Sequence, residues 1–445
     1  MTRATRRGVC IFVLMVAFAA SAAAQLPRIE LPPVTTPGLP QPGQVLPEAQ
    51  RAVGGALNTL AAARGVRIER LASEHRAELD RDPRGELVVR AEVVAIDITE
   101  PALKRAQAED FVLKRTQELA GLGLRISVLQ TPAGWSAARG LKRLRKLDPE
   151  GVYDFNHVYL GSSDAASAHA ILARTDTPAI AAAPPPPPPA VRAGLIDGGV
   201  DVSHQYFAHT RFQRFGCDGK IVPSEHGTAV AAILVSRQSV NEIFAADVYC
   251  GQPAGGAVDA VAAALGWMAR ERVAVINVSL VGPRNALLER VVGTLVSRGF
   301  LIVAAVGNDG PAAAPLYPAA YDGVVGVTAV DRKHHVLVEA CRGKQVDFAA
   351  EGADIEAATS APDKFGPVRG TSFAAPLIAA LFALDFQQPD AAQRERELGK
   401  WAGFATDLGK KGRDDVYGIG ELGDDREFTP TARERAPETH PGANK

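Results

Sequence analysis

The chain has 445 residues, room at roughly 100–200 residues per domain for two or three domains. Apolar residues make up 47%, charged residues 22% and aromatics 6%, which excludes a wholly disordered chain, a fibrous repeat and a multi-span membrane protein. Lys plus Arg (49) nearly balance Asp plus Glu (50), so no overall field directs the chain to nucleic acid, and four cysteines are too few for a disulfide scaffold.

Arg3, Arg6 and Arg7 precede an apolar run from Val9 to Ala20, and Ala22-Ala23-Ala24 supplies small residues for cleavage. Residues 1–24 therefore read as a secretory signal peptide, and the chain as exported, to the periplasm or beyond. The run falls short of the roughly 20 residues of a membrane span, so no stable insertion is expected. Export implies an oxidising compartment. Of the remaining cysteines, Cys217 with Cys250 is the chosen pair and Cys341 a buried thiol, against the alternative of no disulfide.

Residues 25–50 hold Pro27, Pro32, Pro33, Pro37, Pro40, Pro42 and Pro47 and read as a Pro-rich linker. Residues 51–85 look helical, with no role apparent. Over 86–162 the pattern predicts a small α+β domain: a strand at Glu86–Ile98, a helix at Pro101–Leu119, a strand at Leu124–Leu129, a helix at Gly134–Leu147 and a strand at Val152–Leu160, in a sandwich of ferredoxin-like kind. The basic helix face of Arg139, Lys142, Arg143, Arg145 and Lys146 reads as solvated. Residues 163–190, with the hexaproline Pro184–Pro189, form a second linker, and 423–445 a polar disordered tail.

Between 191 and 422 near-continuous apolar runs (Val191–Ile196, Ile243–Tyr249, Val273–Leu280, Phe300–Val306, Val324–Val330) alternate with helical stretches (Gly227–Val235, Gly255–Arg270, Asn285–Ser297). Such runs are strands buried on both faces, so this part is a doubly wound, mostly parallel α/β sheet with its site at the carboxyl ends of the strands. Asp197 closes the first strand, while His226 and Ser372 each begin a helix. A hydroxyl nucleophile needs a base within reach, and the base a buried carboxylate to hold its tautomer. Asn308 follows another strand between Gly307 and Gly310, where its amide can donate to a developing oxyanion together with the backbone N–H of Ser372.

The blocks Asp197-Gly-Gly-Val-Asp201, His226-Gly-Thr, Asn277-Val-Ser-Leu280, Val306-Gly-Asn308-Asp-Gly310, Tyr317-Pro-Ala-Ala-Tyr321 and Gly370-Thr-Ser-Phe-Ala-Ala-Pro376 resemble the subtilisin-like serine proteases, the subtilases of peptidase family S8, over about 191–422. The resemblance implies a serine endopeptidase with Asp197, His226 and Ser372 as triad and Asn308 as oxyanion donor. Ser279, Leu280 and Gly282 would pair with the substrate backbone, and Ala304, Ala305 and Gly307 would line the pocket before the scissile bond. It also implies that domain 86–162 is a propeptide, an inhibitor and chaperone of its own protease removed by self-processing, against the alternative of a permanent accessory domain. The expected partners are peptide or protein substrates and this N-terminal domain, with no nucleic acid. No cofactor is expected to be required and no metal ligands are assigned. The short stretch after His226 leaves little room for the loop that holds a tight calcium in many relatives, and calcium elsewhere stays open. Departures are Ala229, where the family often has a second His, and Gly198, where it usually has Ser or Thr. A catalytically silent peptide-binding protein of the same fold is the alternative.

Overall fold

The computed structural model describes residues 63–162, 190–236, 240–360 and 364–423. The expected signal peptide (1–24), the expected first linker (25–50), residues 163–189 of the expected second linker and the tail beyond 423 lie outside the described residues. Among those described, no helix is long and apolar enough to cross a membrane.

The N-terminal part opens with helix α1 (63–74) and strand β1 (Leu79–Arg81). Then follow β2 (Leu87–Ile96), α2 (Glu100–Gln107), β3 (Val112–Leu119), β4 (Leu124–Gln130), α3 (Ala137–Leu147) and β5 (Val152–His157). The strands lie in the order β5-β2-β4-β3, all antiparallel, with β1 paired to the start of β2. This β-α-β-β-α-β arrangement is the split βαβ unit. The single helix expected over 101–119 is corrected here. The chain leaves the helix after Gln107 and turns through Asp110 at a left-handed φ of 62°, and 112–119 pairs along β4 as an edge strand. Helical spacing in Leu113-Lys-Arg-Thr-Gln-Glu-Leu119 is overridden by this pairing and by burial of Leu119 against the C-terminal part. β1 likewise extends the domain upstream of 86.

The C-terminal part carries a seven-stranded sheet in the order β14-β13-β12-β10-β7-β9-β8, parallel throughout. In chain order its elements are β6 (Leu160–Gly161), β7 (Arg192–Asp197), β8 (Arg211–Phe215), α4 (Glu225–Val235), β9 (Glu242–Asp247), α5 (Val258–Arg270), β10 (Val275–Val278), β11 (Leu280–Val281), α6 (Ala286–Ser297), β12 (Leu301–Ala305), β13 (Val325–Val330), β14 (Phe348–Glu351), β15 (Ile355–Ala358), β16 (Phe365–Val368), α7 (Thr371–Asp385) and α8 (Ala391–Phe404). Helices α4 and α7 cover one face of the sheet and α5 and α6 the other.

The antiparallel sheet docks on the α5–α6 face, where Val94, Ile96, Leu119, Leu124, Ile126 and Val128 share a core with Leu265, Trp267 and Met268. Polar groups align the two layers. The Asp154 carboxylate accepts from the Ala286 amide (2.8 Å) at the start of α6, and Asn156 Oδ1 from the Asp259 amide (3.4 Å) at the start of α5. These amides have no partner within their helices, and the dipole there favours an anion. Arg115 on β3 bridges Glu92 and Asp259, its Nε donating to Asp259 at 2.7 Å.

Cys217 and Cys250 are joined, with Cα atoms 5.2 Å apart, and close a loop of 33 positions that contains α4. Closing such a loop stabilises a fold by about 2–4 kcal/mol. Non-reducing mass spectrometry should recover a peptide linking Cys217 to Cys250, and the Cys217→Ser variant should unfold at lower denaturant by that margin. A free thiol at both positions in the native protein would contradict the pairing.

Candidate active site

Three parallel strands end beside one another and present the polar residues in their loops. Asp197 is the last residue of β7, Ser279 follows β10, and Asn308 follows β12. His226 lies in the first turn of α4, whose N-cap Ser224 accepts from the Gly227 amide (3.0 Å). Gly227 is required by proximity, since a Cβ there would lie 2.3 Å from the Gly198 carbonyl oxygen. Its absence lets α4 abut the turn after Asp197, and His226 Nδ1 comes 2.8 Å from Asp197 Oδ1. Oδ1 also accepts the Gly198 amide at 2.6 Å, and Asp197 is 1% exposed. Asp197 Oδ2 is buried with no hydrogen-bond partner among the described residues. A side chain at 198 could not simply fill that role, because its Cβ would lie 2.4 Å from Ser224 Oγ.

Ser372 lies in the first turn of α7, entered through Gly370 at φ 137°, and is fully buried. The neighbouring Phe373 ring is centred 5.3 Å from the His226 ring, so the start of α7 packs against the imidazole. Pro376 has no N–H to return to the carbonyl four residues earlier. That carbonyl, of Ser372, instead accepts from Ser279 Oγ (3.0 Å), which in turn accepts from Asn277 Nδ2 (2.9 Å). Asn308 is oriented from the same helix end. Its Oδ1 accepts the Thr371 amide (3.1 Å), which leaves Nδ2 pointing into the cleft.

The cleft is filled by the chain itself. Leu160–Gly161 runs antiparallel to Leu280–Val281, with Gly161 opposite Leu280 and Leu160 opposite Val281. The Ser162 amide donates to the Ser279 carbonyl (3.4 Å), and Asn308 Nδ2 donates to the Ser162 carbonyl. On the other side the Tyr159 amide donates to the Gly256 carbonyl (2.8 Å). Helix α1 lies over this segment: Arg67 Nη1 donates to the Gly161 carbonyl (3.1 Å), and Arg64 bridges Glu86 (2.7 Å) and Asp309 (3.5 Å). Ile68 packs with Leu79, Leu87, Val158 and Leu160. Beside Gly161 a cavity of about 180 Å³ is lined by His226, Asp197, Asp247 and Tyr249.

The residues singled out from sequence thus sort into groups. Asp197, His226, Ser372, Asn308 and Ser279 converge on one end of the sheet, and Leu280 pairs with the bound segment. Gly282 pairs with Tyr317 through two 2.9 Å bonds rather than with Leu160–Ser162. Ala304 and Ala305 are fully buried on opposite faces of the sheet, and Gly307 (φ 103°) abuts Leu316 and Cys341. Among their partners, Thr371 stands inside the Gly370–Pro376 block and Ser224 is a helix-capping serine, whereas Ser162, Arg64 and Arg67 carry no sequence signal and are made relevant only by contact. Among the described residues one grouping of potential metal ligands occurs, Cys217, Asp247 and Cys250, and both its sulfurs are taken up in the disulfide.

The subtilase family model matches residues 190–420. The chain belongs to the subtilase family. It is 32% identical over 205 residues to the minor extracellular protease Epr of Bacillus subtilis, 44% of this chain and 32% of that protein, and so spans about a third of that relative. It is 31% identical over 205 residues to subtilisin Savinase of Lederbergia lenta, 74% of whose length is matched. Among solved structures, fervidolysin from Fervidobacterium pennivorans, described as a keratinolytic enzyme related to subtilisin, aligns over 77% of this chain and 61% of its own, with a TM-score of 0.60 at 15% identity. That likeness speaks to fold alone.

Burial pushes the Cys341 thiol up to about 12. At pH 8.5 almost none of it is thiolate in the folded subtilase, whereas an unfolded cysteine, at about 8.5, is half ionised. Iodoacetamide should therefore leave Cys341 unmodified in the native protein and alkylate it after denaturation; rapid native alkylation would contradict its burial.

Proposed function

We propose that this subtilase is an exported serine endopeptidase made as a precursor, and that the N-terminal domain with its segment 159–162 is both its inhibitor and its first substrate. One observation carries the reading: the Ser162 carbonyl accepts from Asn308 Nδ2 while the residues before it pair as a strand with 280–281. A peptide held this way presents its carbonyl carbon to the start of α7, as an added strand whose backbone bonds fix its register.

In this reading Ser372 Oγ attacks the Ser162 carbonyl carbon and its proton passes to His226. The Nδ1–H of His226 donates to Asp197, which fixes the tautomer and stabilises the imidazolium. Charge develops on the Ser162 oxygen, where the Asn308 amide and the Ser372 backbone N–H donate. His226 then protonates the amine of Ser163 as the Ser162–Ser163 bond breaks. The ester of Ser372 with Ser162 is hydrolysed by a water that His226 deprotonates. Side chains, the Ser372 backbone N–H and water supply every proton and donor, so the scheme calls for no cofactor. Ser372 is fully buried with the segment in place, which supports the view that other substrates enter only after it leaves.

The scissile bond in this scheme is Ser162–Ser163, held at high effective concentration by the docked domain. Wild-type protein should yield a mature form beginning at Ser163. Ser372→Ala should stay at precursor size and lose casein hydrolysis by about 10⁶ in kcat. Normal maturation of the Ala variant would assign the cut to another protease, and activity within tenfold of wild type would remove Ser372 as nucleophile.

For Asn308→Ala the expected loss is about 10²–10³ in kcat with KM little changed, because the amide meets charge present only in the transition state. A loss carried mainly by KM would make Asn308 a substrate-binding group instead.

A further inference from the structure

The end of β9 brings a second carboxylate to the site. Strands β7 and β9 are parallel neighbours, and their register sets Asp247 opposite Asp197. Paired residues of adjacent strands, about 4.8 Å apart, project to the same side of a sheet. Both carboxylates line the cavity of about 180 Å³ that His226 also lines. Asp247 Oδ1 accepts the Tyr249 and Cys250 amides, each at 2.9 Å, which fixes the group. Its Oδ2 is buried with no hydrogen-bond partner among the described residues, as is Asp197 Oδ2. Gly199 permits the approach, since a Cβ there would stand 2.8 Å from Asp247 Oδ2. Two like charges side by side repel, and no cation closes on this pair. Arg214, Asp218 and Lys220 line a neighbouring cavity that Asp247 also borders, but all three are exposed and none bonds to it. Around His226 the other titratable groups are Asp197 on β7, Tyr249 after β9 and the exposed Glu225 of its own helix, while α7 presents Ser372 and Phe373. In the precursor Arg67 also reaches Gly161 at the edge of the cavity. Apart from Gly161, every residue lining the cavity belongs to the protease part, so the arrangement outlasts the N-terminal domain.

We propose that Asp247 acts on the reaction through His226, its charge across the cavity stabilising the imidazolium and so setting the acid limit of the enzyme. This rests on the endopeptidase reading above. Burial, reinforced by the Asp197 charge, pushes the Asp247 carboxyl up from its usual value, while the two amides on Oδ1 favour its charged form. An anion beside the imidazole has two effects. In acid it holds His226 in the protonated form, which cannot take the Ser372 proton. In the transition state it stabilises the positive charge that His226 acquires. A space of that volume is about 7 Å across, where one charge still moves the titration of another by about half a pH unit or more, equivalent to about threefold in rate. A bound substrate covers the cavity as Gly161 does here, which excludes water and strengthens the interaction. The profile of kcat, which reports the substrate-bound enzyme, therefore responds at least as much as that of kcat/KM, which reports the free one.

The test compares mature wild-type protein with Asp247→Asn, whose amide oxygen can still accept from Tyr249 and Cys250. The substrate is acetyl-Tyr-Leu-Gly-Ser p-nitroanilide, the sequence of 159–162, followed across the pH range beside casein. Loss of the anion should move the acid limb of kcat/KM to lower pH by about half a unit or more, move that of kcat at least as far, and lower the plateau of kcat about threefold. Asp218→Asn, which removes an exposed carboxylate nearby, should leave both limbs in place. Melting curves check the folds, and Asp247→Ser, uncharged and able to accept from the same amides, takes the place of Asn if that variant does not fold. Acid limbs that coincide in wild type and variant, even with kcat reduced at every pH, overturn the proposal and leave the endopeptidase reading intact. A shift to higher pH overturns it as well. If wild type cuts neither the peptide nor casein at any pH, the endopeptidase reading fails and this one with it.

Discussion

The antiparallel pairing of Leu160–Gly161 with Leu280–Val281 ties the two halves of the molecule together. A strand pair has only one free parameter, its register, and here the register places the Ser162 carbonyl on Asn308, Gly161 under Arg67 and Tyr159 in its slot. A slip of one residue would turn Leu160 and Gly161 to the opposite faces and take the carbonyl off the amide. The docked sheet enforces the register from a distance, since Asp154 and Asn156 sit on the N-termini of α6 and α5 only two and four positions after Val152 opens β5.

The geometry around Ser372 depends on absences as much as on groups. Pro376 lacks an N–H, so the Ser372 carbonyl turns to Ser279 and locks the start of α7 against the loop after β10. Gly227 lacks a Cβ, so α4 can touch the turn after Asp197. Gly198 lacks a Cβ as well, and Ser224 occupies the adjoining space. Each small or deficient residue sets a distance that a larger one could not, which is why the blocks around the polar residues read as Gly- and Ala-rich.

Helix α1 illustrates how function can lie in a segment without pattern. Residues 51–85 offer only an uneven helical period, yet Arg64 and Arg67 reach past their own domain to Asp309 and to the Gly161 carbonyl. Neither contact follows from helix formation. Both arise because Ile68 is pinned against Leu79, Leu87 and Leu160, which aims the arginines into the cleft.

The sequence by itself determined the alternation of buried strands and helices over 191–422, and with it the parallel sheet, because fully buried strands must be continuous in apolar residues and their crossovers must be helical. It also determined which polar residues stand at strand ends and helix starts, since Gly, Pro and Ser mark those positions locally. Tertiary structure decided the rest. Whether 112–119 was helix or strand rested on a free edge of β4, not on its own propensity. That Ser162 met Asn308 and that Tyr159 met Pro283 depended on pairings between positions more than a hundred residues apart. Local pattern carries no record of such contacts, because they are selected by the packing of whole layers and not by neighbours in the chain.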